Sequence, residues 1–453
     1  MNRRDVLQLL GWSGLAAVSP FGNPLASSLV GPRRRARAED SGLTYSGTFW
    51  ILLHAGGGWD PTSLCDPKGR ANEGTRDPMN MFFTDDIKSA GNLRYAPIEG
   101  LEPFFDKHFS RLTVINGVDT TTNGHDQGVR GTWSGRTGEG YPSVGALTAA
   151  AHGPELPLSF INSGGYGEAR GVVRPVRLGD SADLLRRIAR PNVIDAQQAT
   201  PRGFIDSDSV LEKVRAARRA RLERQVAQAR LPRVAESRNR LFLARAGERE
   251  LQRITEFLPS ELNDNRTKSQ LQVGLAAYRA GTSVAVSIGM GGFDTHSNHD
   301  ENHLPRLVNF FDVADFALEE AERLGMADRV GMILASDFGR TPGYNGGRGK
   351  DHWPISSVIV LGPGVEGNRV IGRTDPRHRA YPLDPVTLAP LDDVNSKDGV
   401  RLSISHLHRA LRRLVGVPDS LARTFPLSGE DLPLFGPVPV PGAPDAGGEP
   451  ETA

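Results

Sequence analysis

The chain predicts an α/β fold built on a mainly parallel, doubly wound sheet, and three observations carry that expectation. Short apolar runs of strand length alternate with stretches of helical periodicity through the C-terminal half, the pattern of a parallel sheet covered by helices on both faces. Several of these runs end in glycine-bearing loops that hold acids and histidines, where an α/β fold presents its chemistry. The length of 453 residues allows one large or two ordinary domains with a substantial core.

Taken in order, residues 1–38 read as an address rather than as structure. Arg3 and Arg4 precede a modest apolar stretch, Val6 to Val18, and the segment resembles a twin-arginine export signal, with Val6 departing from the usual Phe or Leu. The basic run from Arg33 ends in Ala36-Arg37-Ala38 before Glu39, one plausible cleavage site, and Ala26 offers another. The twin-arginine translocase is the partner expected during export, and the periplasm or the extracellular space the destination. No later apolar run approaches the ~20 residues that cross a bilayer, so no transmembrane anchor is expected after the signal is removed. Cys65 is the single cysteine and excludes an intrachain disulfide, which agrees with folding in a reducing cytoplasm before export. A net charge of +1, from 54 basic and 53 acidic residues, gives no electrostatic case for a nucleic-acid partner.

The body is expected over residues 39–436, beginning with a linker to about residue 48. Thr48 to His54 reads as a buried strand that feeds a tight turn, Gly56 to Gly58, exposing Asp60; no Lys-Ser/Thr follows, which argues against a phosphate loop. Arg111 to Gly117 repeats the pattern and leads to Thr120-Thr121-Thr122-Asn123-Gly124-His125-Asp126. Between about 207 and 258 the composition shifts to Arg, Glu, Ala, Leu and Gln, with a break at Leu231-Pro232, and predicts a helical hairpin with a solvated, mixed-charge face. A helix over 270–280, a strand over 282–289, a helix over 307–325 and strands over 330–336 and 356–362 follow. Residues 437–453 are rich in Pro and Gly, too poor in large apolar side chains to pack, and are expected to be disordered.

Three loops in the C-terminal half carry the chemistry. Asp294 and His296 share a face if locally extended, since strand residues two apart do, and His299 and His303 fall at the entrance of a helix beginning near Asn302. Asp337 ends an apolar run, and burying its charge costs several kcal/mol unless a metal, Arg340 or helix amides compensate. Asp351 and His352 share a glycine-rich loop with Arg348 and Lys350, cations suited to an anionic substrate.

The segments Gly292-Phe293-Asp294-Thr295-His296, Ser336-Asp337-Phe338-Gly339-Arg340-Thr341 and Gly349-Lys350-Asp351-His352, with the twin-arginine start, resemble an exported bacterial family known as domain of unknown function 1501. That family is similar to the alkaline phosphatase and sulfatase superfamily, and the likeness spans about Trp50 to Val415. It implies a sheet of alkaline-phosphatase-like type with an inserted helical hairpin, and a metal site at its C-terminal edge with Asp60, Asp294, His296, Asp337 and His352 as ligands. Zinc suits such mixed nitrogen and oxygen donors, with magnesium, manganese or calcium as alternatives. Phe338 stands where the phosphatases place a metal-binding histidine, so a single-metal site is as plausible as a dinuclear one. No hydroxyl stands out as the nucleophile; Thr122 belongs to the nearest match, His125 is a ligand or a general acid, and Arg340 is grouped with them as catalytic. Cys65 lacks the arginine of the sulfatase cysteine motif, because Gly69 takes its place, and reads as a plain thiol.

The function expected is an exported metal-dependent hydrolase of a phosphate or sulfate ester, small or polymer-borne, with Arg348 and Lys350 on the substrate. The alternative is a non-catalytic cell-envelope binding or assembly protein that keeps the fold and a metal.

Overall fold

The computed structural model describes residues 45–177, 207–228 and 248–436. The expected export signal, the tail from 437, and the middle of the expected helical insertion lie outside the described residues. On either side of that middle part, helices run over Asp208–Ala227 and Glu248–Phe257, and the second buries Ile254 in the core.

Eight strands form one sheet: β1 Phe49–Ala55, β2 Leu112–Asp119, β3 Phe160–Ser163, β4 Pro175–Val176, β5 Ala285–Met290, β6 Val330–Ser336, β7 Ile355–Leu361 and β8 Arg369–Ile371. Their spatial order is β8-β2-β7-β6-β1-β5-β3-β4. Every strand but β7 runs the same way, so the sheet is mainly parallel. β1 shows why its residues form a central strand: all seven are buried, and successive side chains enter opposite layers. Phe49, Ile51 and Leu53 join one core, Trp50 and Leu52 the other.

Helices cover both faces. α1 His125–Ser134, α2 Val144–His152, α3 Arg266–Arg279, α4 His299–Arg323 and α5 Ile404–Leu414 divide between the two cores. α3 and α4 bring Leu271, Leu275, Leu307 and Phe310 to the first core, while α1, α2 and α5 bring Trp133, Val144, Leu407 and Leu411 to the second. Each such side chain contributes about 1.5–3 kcal/mol of burial. α4 starts at His299, earlier than its sequence pattern suggests, because Pro305 lies inside the helix and masks the first turns as a break. Among the described residues no helix is long and apolar enough to cross a membrane.

The reversed strand builds the functional edge. Parallel strands present their C-terminal ends there, at Ala55, Asp119, Met290 and Ser336, and antiparallel β7 presents its beginning, with Ile355 paired to Asp119. A short hairpin, Gly339–Arg340 against His352–Trp353, connects β6 to β7 without a helix and returns His352 to the edge it left at Asp337.

Candidate metal centre

Asp294, which follows β5, is the hub of the site. Its Oδ1 lies 3.0 Å from His296 Nε2 and 3.1 Å from His352 Nε2, and those two nitrogens are 2.9 Å apart. His125, the first residue of α1, faces the other oxygen, with Nε2 3.4 Å from Asp294 Oδ2. His125, Asp294 and His352 offer ligand atoms that all lie within 4.8 Å of one another.

The second nitrogen of each ring fixes what the first can do. His352 Nδ1 donates to the Asn123 carbonyl at 2.7 Å, and a carbonyl can only accept. His296 Nδ1 donates to Asp351 Oδ1 and His125 Nδ1 to Asp337 Oδ2, each at 2.7 Å. Both acceptors are ionised. The hydrogen bond from His296 holds Asp351 below the usual carboxylate range; burial would raise Asp337, but His54 foremost, then His125 and the Gly57 amide, hold it low. Neutral imidazoles so arranged carry their proton on Nδ1, and all three Nε2 lone pairs turn toward Asp294. Burial alone would raise Asp294 as well; the Arg340 guanidinium, hydrogen-bonded to Oδ1, outweighs it and holds the carboxyl at about 2.

Lone pairs of two nitrogens and a carboxylate oxygen meeting at 2.9–3.1 Å, with no proton between them, repel unless a cation joins them. Ligands on a tetrahedral zinc at bond lengths of about 2.0–2.1 Å stand about 3.3 Å apart, so His296, His352 and Asp294 fit such an ion with small adjustment. An imidazole whose outer N–H is held by a carboxylate or carbonyl is the usual form of a metal-binding histidine.

The other residues singled out by sequence fall elsewhere. Asp337 is buried; its Oδ2 accepts from His125 and the Gly57 amide (3.1 Å), while its Oδ1 stands 2.8 Å from His54 Nε2 outside hydrogen-bond geometry. Through Oδ2 it holds the ring of His125. Asp60, expected to be exposed, is wholly buried, because the turn through Gly57 and Gly58 folds inward: a Cβ on Gly57 would stand 2.4 Å from the Asp294 amide nitrogen, and φ there is 122°. Its carboxylate is taken by Lys350 Nζ at 2.5 Å and by Thr62, so neither Asp60 nor Lys350 reaches the cluster. Arg348 is exposed and turned to Asn298 and Glu301. Arg340 is fully buried and spends its donors on the carbonyls of Gly57, Gly58, Phe293 and Lys350 and on Asp294 Oδ1, clamping three loops together. Thr122 donates to Gln127 Oε1 at 2.8 Å and accepts from the Gly124 amide, with no base against it among its contacts. Phe338 fills the space between two of the rings, its centroid 4.4 Å from that of His352 and 5.0 Å from that of His125.

Two residues that sequence reasoning passed over belong here. His54 is the last residue but one of β1, within an apolar run, and reads there as core. Arg306 lies on α4 and borders a polar cleft of about 210 Å³ shared with Asp294, His296 and Asn302; its guanidinium forms no ion pair among the described residues, and the cluster of histidines nearby was its only sequence signal.

Solved structures that resemble this chain include a sulfatase from Pseudoalteromonas sp., at 11% identity over 83% of this chain and 69% of that one, with a TM-score of 0.36. A lipoteichoic acid synthase from Listeria monocytogenes matches at 9% identity over 86% and 75%, TM-score 0.35. An alkaline phosphatase from the Antarctic bacterium TAB5 matches at 10% over 72% and 94%, TM-score 0.31. No curated protein matches the chain. The model of the family described as "Protein of unknown function (DUF1501)" matches residues 49–393, and the chain belongs to that family.

Proposed function

We propose that this protein is an exported hydrolase of phosphate or sulfate esters that depends on one divalent metal, zinc by the nature of its donors. The observation that supports this reading most is the meeting of His296 Nε2, His352 Nε2 and Asp294 Oδ1 within 3.1 Å, each ring anchored through Nδ1. Three protein ligands and one open position are the pattern of catalytic rather than structural zinc. The ion would lower the pKa of a bound water and neutralise charge on the ester oxygens.

The chain's own residues supply the rest. His125, with its proton on Nδ1, accepts a proton at Nε2 from the attacking water and returns it to the leaving oxygen. Arg306, a cation at the cleft with no ion pair among the described residues, binds the anionic part of the ester, in place of Lys350 and Arg348. Arg340 holds Asp294 ionised and in place. Export by the twin-arginine route rests on Arg3, Arg4 and the apolar stretch after them, and would bring the site to small or polymer-borne anionic esters outside the cytoplasm.

Metal analysis of the purified protein, paired with turnover of aryl phosphate and aryl sulfate esters, tests the reading. One equivalent of zinc with turnover is expected, and Asp294→Ala should lose both while remaining folded. Folded wild-type protein that binds no divalent metal and turns over neither ester would sink it. A second reading, a binding or assembly protein that retains the metal, is favoured by Thr122 having no adjacent base; one equivalent of zinc with no turnover is its signature.

A further inference from the structure

We infer that His54 is a positioning residue that fixes the proton of His125 through Asp337, so that the face of His125 turned to Asp294 remains an acceptor. Direction enters the chain of contacts at Trp133, whose indole N–H can only donate. It donates to His54 Nδ1 at 3.0 Å. A neutral His54 with Nδ1 accepting carries its proton on Nε2, and that atom stands 2.8 Å from Asp337 Oδ1. Asp337 Oδ2 then accepts from His125 Nδ1 at 2.7 Å, which leaves the lone pair of His125 on Nε2. Three side chains of this relay, Trp133, His54 and Asp337, are buried; only His125 is half-exposed.

As placed, the His54–Asp337 contact falls outside hydrogen-bond geometry, and neither His54 Nε2 nor Asp337 Oδ1 has a hydrogen-bond partner among the described residues. Two such buried atoms left apart would each carry the desolvation penalty of an unmet polar group, so each is the other's means of satisfaction. A metal between them is excluded by the indole: a neutral ring that accepts at Nδ1 has no lone pair left at Nε2. The neighbours leave little play, since Gly165 Cα carries no side chain where an added Cβ would touch His54 Cβ at 3.4 Å, and Gly128 brings α1 so close that an added Cβ would meet the Asp337 carbonyl at 2.6 Å. Without the donor at Nε2 the Asp337 carboxylate is held only through Oδ2, by the Gly57 amide, and the ring of His125 has a less firmly fixed acceptor for its Nδ1 proton.

The activity arm of the test rests on the hydrolase reading; the spectroscopic arm does not. His54→Phe removes the donor and His54→Gln keeps an N–H that reaches Asp337. Nitrogen NMR of the histidine rings in the wild-type, zinc-free protein should show His125 protonated at Nδ1 only; His54→Phe should mix the two tautomers and His54→Gln restore one. With zinc and an aryl ester, His54→Phe should lower kcat by roughly 10- to 100-fold, the size of effect seen when the group that orients a site histidine is lost, with KM little changed and recovery in His54→Gln. If His54→Phe does not fold, Trp133→Phe removes the direction-setting donor instead and should mix the same tautomers. A single unchanged tautomer of His125 in the folded variants overturns the inference. Should the wild type hydrolyse no ester, the hydrolase reading fails while the tautomer result still decides the relay.

Discussion

Asp60 carries a carboxylate with no exposure, and such a charge costs several kcal/mol unless met by opposite charge and donors. Lys350 meets it, and a chain of contacts from the Asp60 backbone leads back to its carboxylate. The Asp60 amide donates to His303 Nε2 at 3.0 Å, so His303 Nδ1 donates to Thr295 Oγ1 at 3.1 Å. The Thr295 hydroxyl then donates to His299 Nδ1 at 2.8 Å, and His299 Nε2–H faces Asp60 Oδ2 at 3.3 Å. Thr295 lies between Asp294 and His296, and Lys350 just ahead of Asp351 and His352, so a pair remote from the cluster sets the backbone beneath it. None of this is legible in sequence, where Asp60 and Lys350 are 290 residues apart and a glycine turn reads as exposing whatever follows. Lys350→Met strands the charge and should cost about 3–5 kcal/mol in urea denaturation. Adding Asp60→Asn should recover a large part, and a single variant as stable as wild type would contradict the account.

The elements that position the ligands were legible where an apolar run met a loop of acids and histidines. Strands β1, β2, β5, β6 and β7 each announce themselves as such runs, and Asp294, His296 and His352 sit at their ends. The reversal of β7 was less visible, although the residues between Asp337 and Pro354 lack the helical pattern that a parallel crossover requires. His54 was hidden for another reason: only the register that sets it beside Ala335, just ahead of Asp337, separates it from a core residue. The two ligand loops are laced together by Asn298 N–H to Gly347, His299 N–H to Arg348 and Lys350 N–H to Thr295, at 2.8–3.1 Å. Gly349 makes that approach possible, because a Cβ there would fall 1.9 Å from the His296 carbonyl. Gly349→Ala should therefore separate His352 from His296 and weaken zinc binding at least about tenfold, the scale of losing support to a ligand, with the fold retained. Calorimetric zinc titration checks this, and unchanged affinity would refute it.

At the scale of the molecule, the doubly wound sheet buries its central strands on both faces, and polar groups needed at the edge are carried deep with them. Several histidines share that burial. Burial lowers His378 and pushes His408, on α5, down to about 3; it lowers His303 well below the usual range, with the neighbouring His299 adding to the effect. The unfolded chain takes up these protons near the ordinary histidine value of about 6.5 while the folded chain refuses them, so the unfolded state binds more protons as pH falls. The stability these groups contribute is present above about 6.5 and is lost below it, toward each folded value, at about 1.4 kcal/mol per pH unit for each histidine. The depressed carboxylates Asp60 and Asp337 act with the same sign in a lower window, holding above about 3.9 and failing as pH drops toward their folded values. Unfolding free energy of the zinc-free protein should accordingly fall steadily from pH 7 to pH 5. Because His408 is remote from the cluster and donates only to the Thr132 carbonyl at 2.7 Å, His408→Phe should reduce the slope by one proton's worth while leaving zinc affinity unchanged. A stability profile flat from pH 7 to pH 5, or a slope untouched by that substitution, would show that the buried imidazoles take up protons in the folded state.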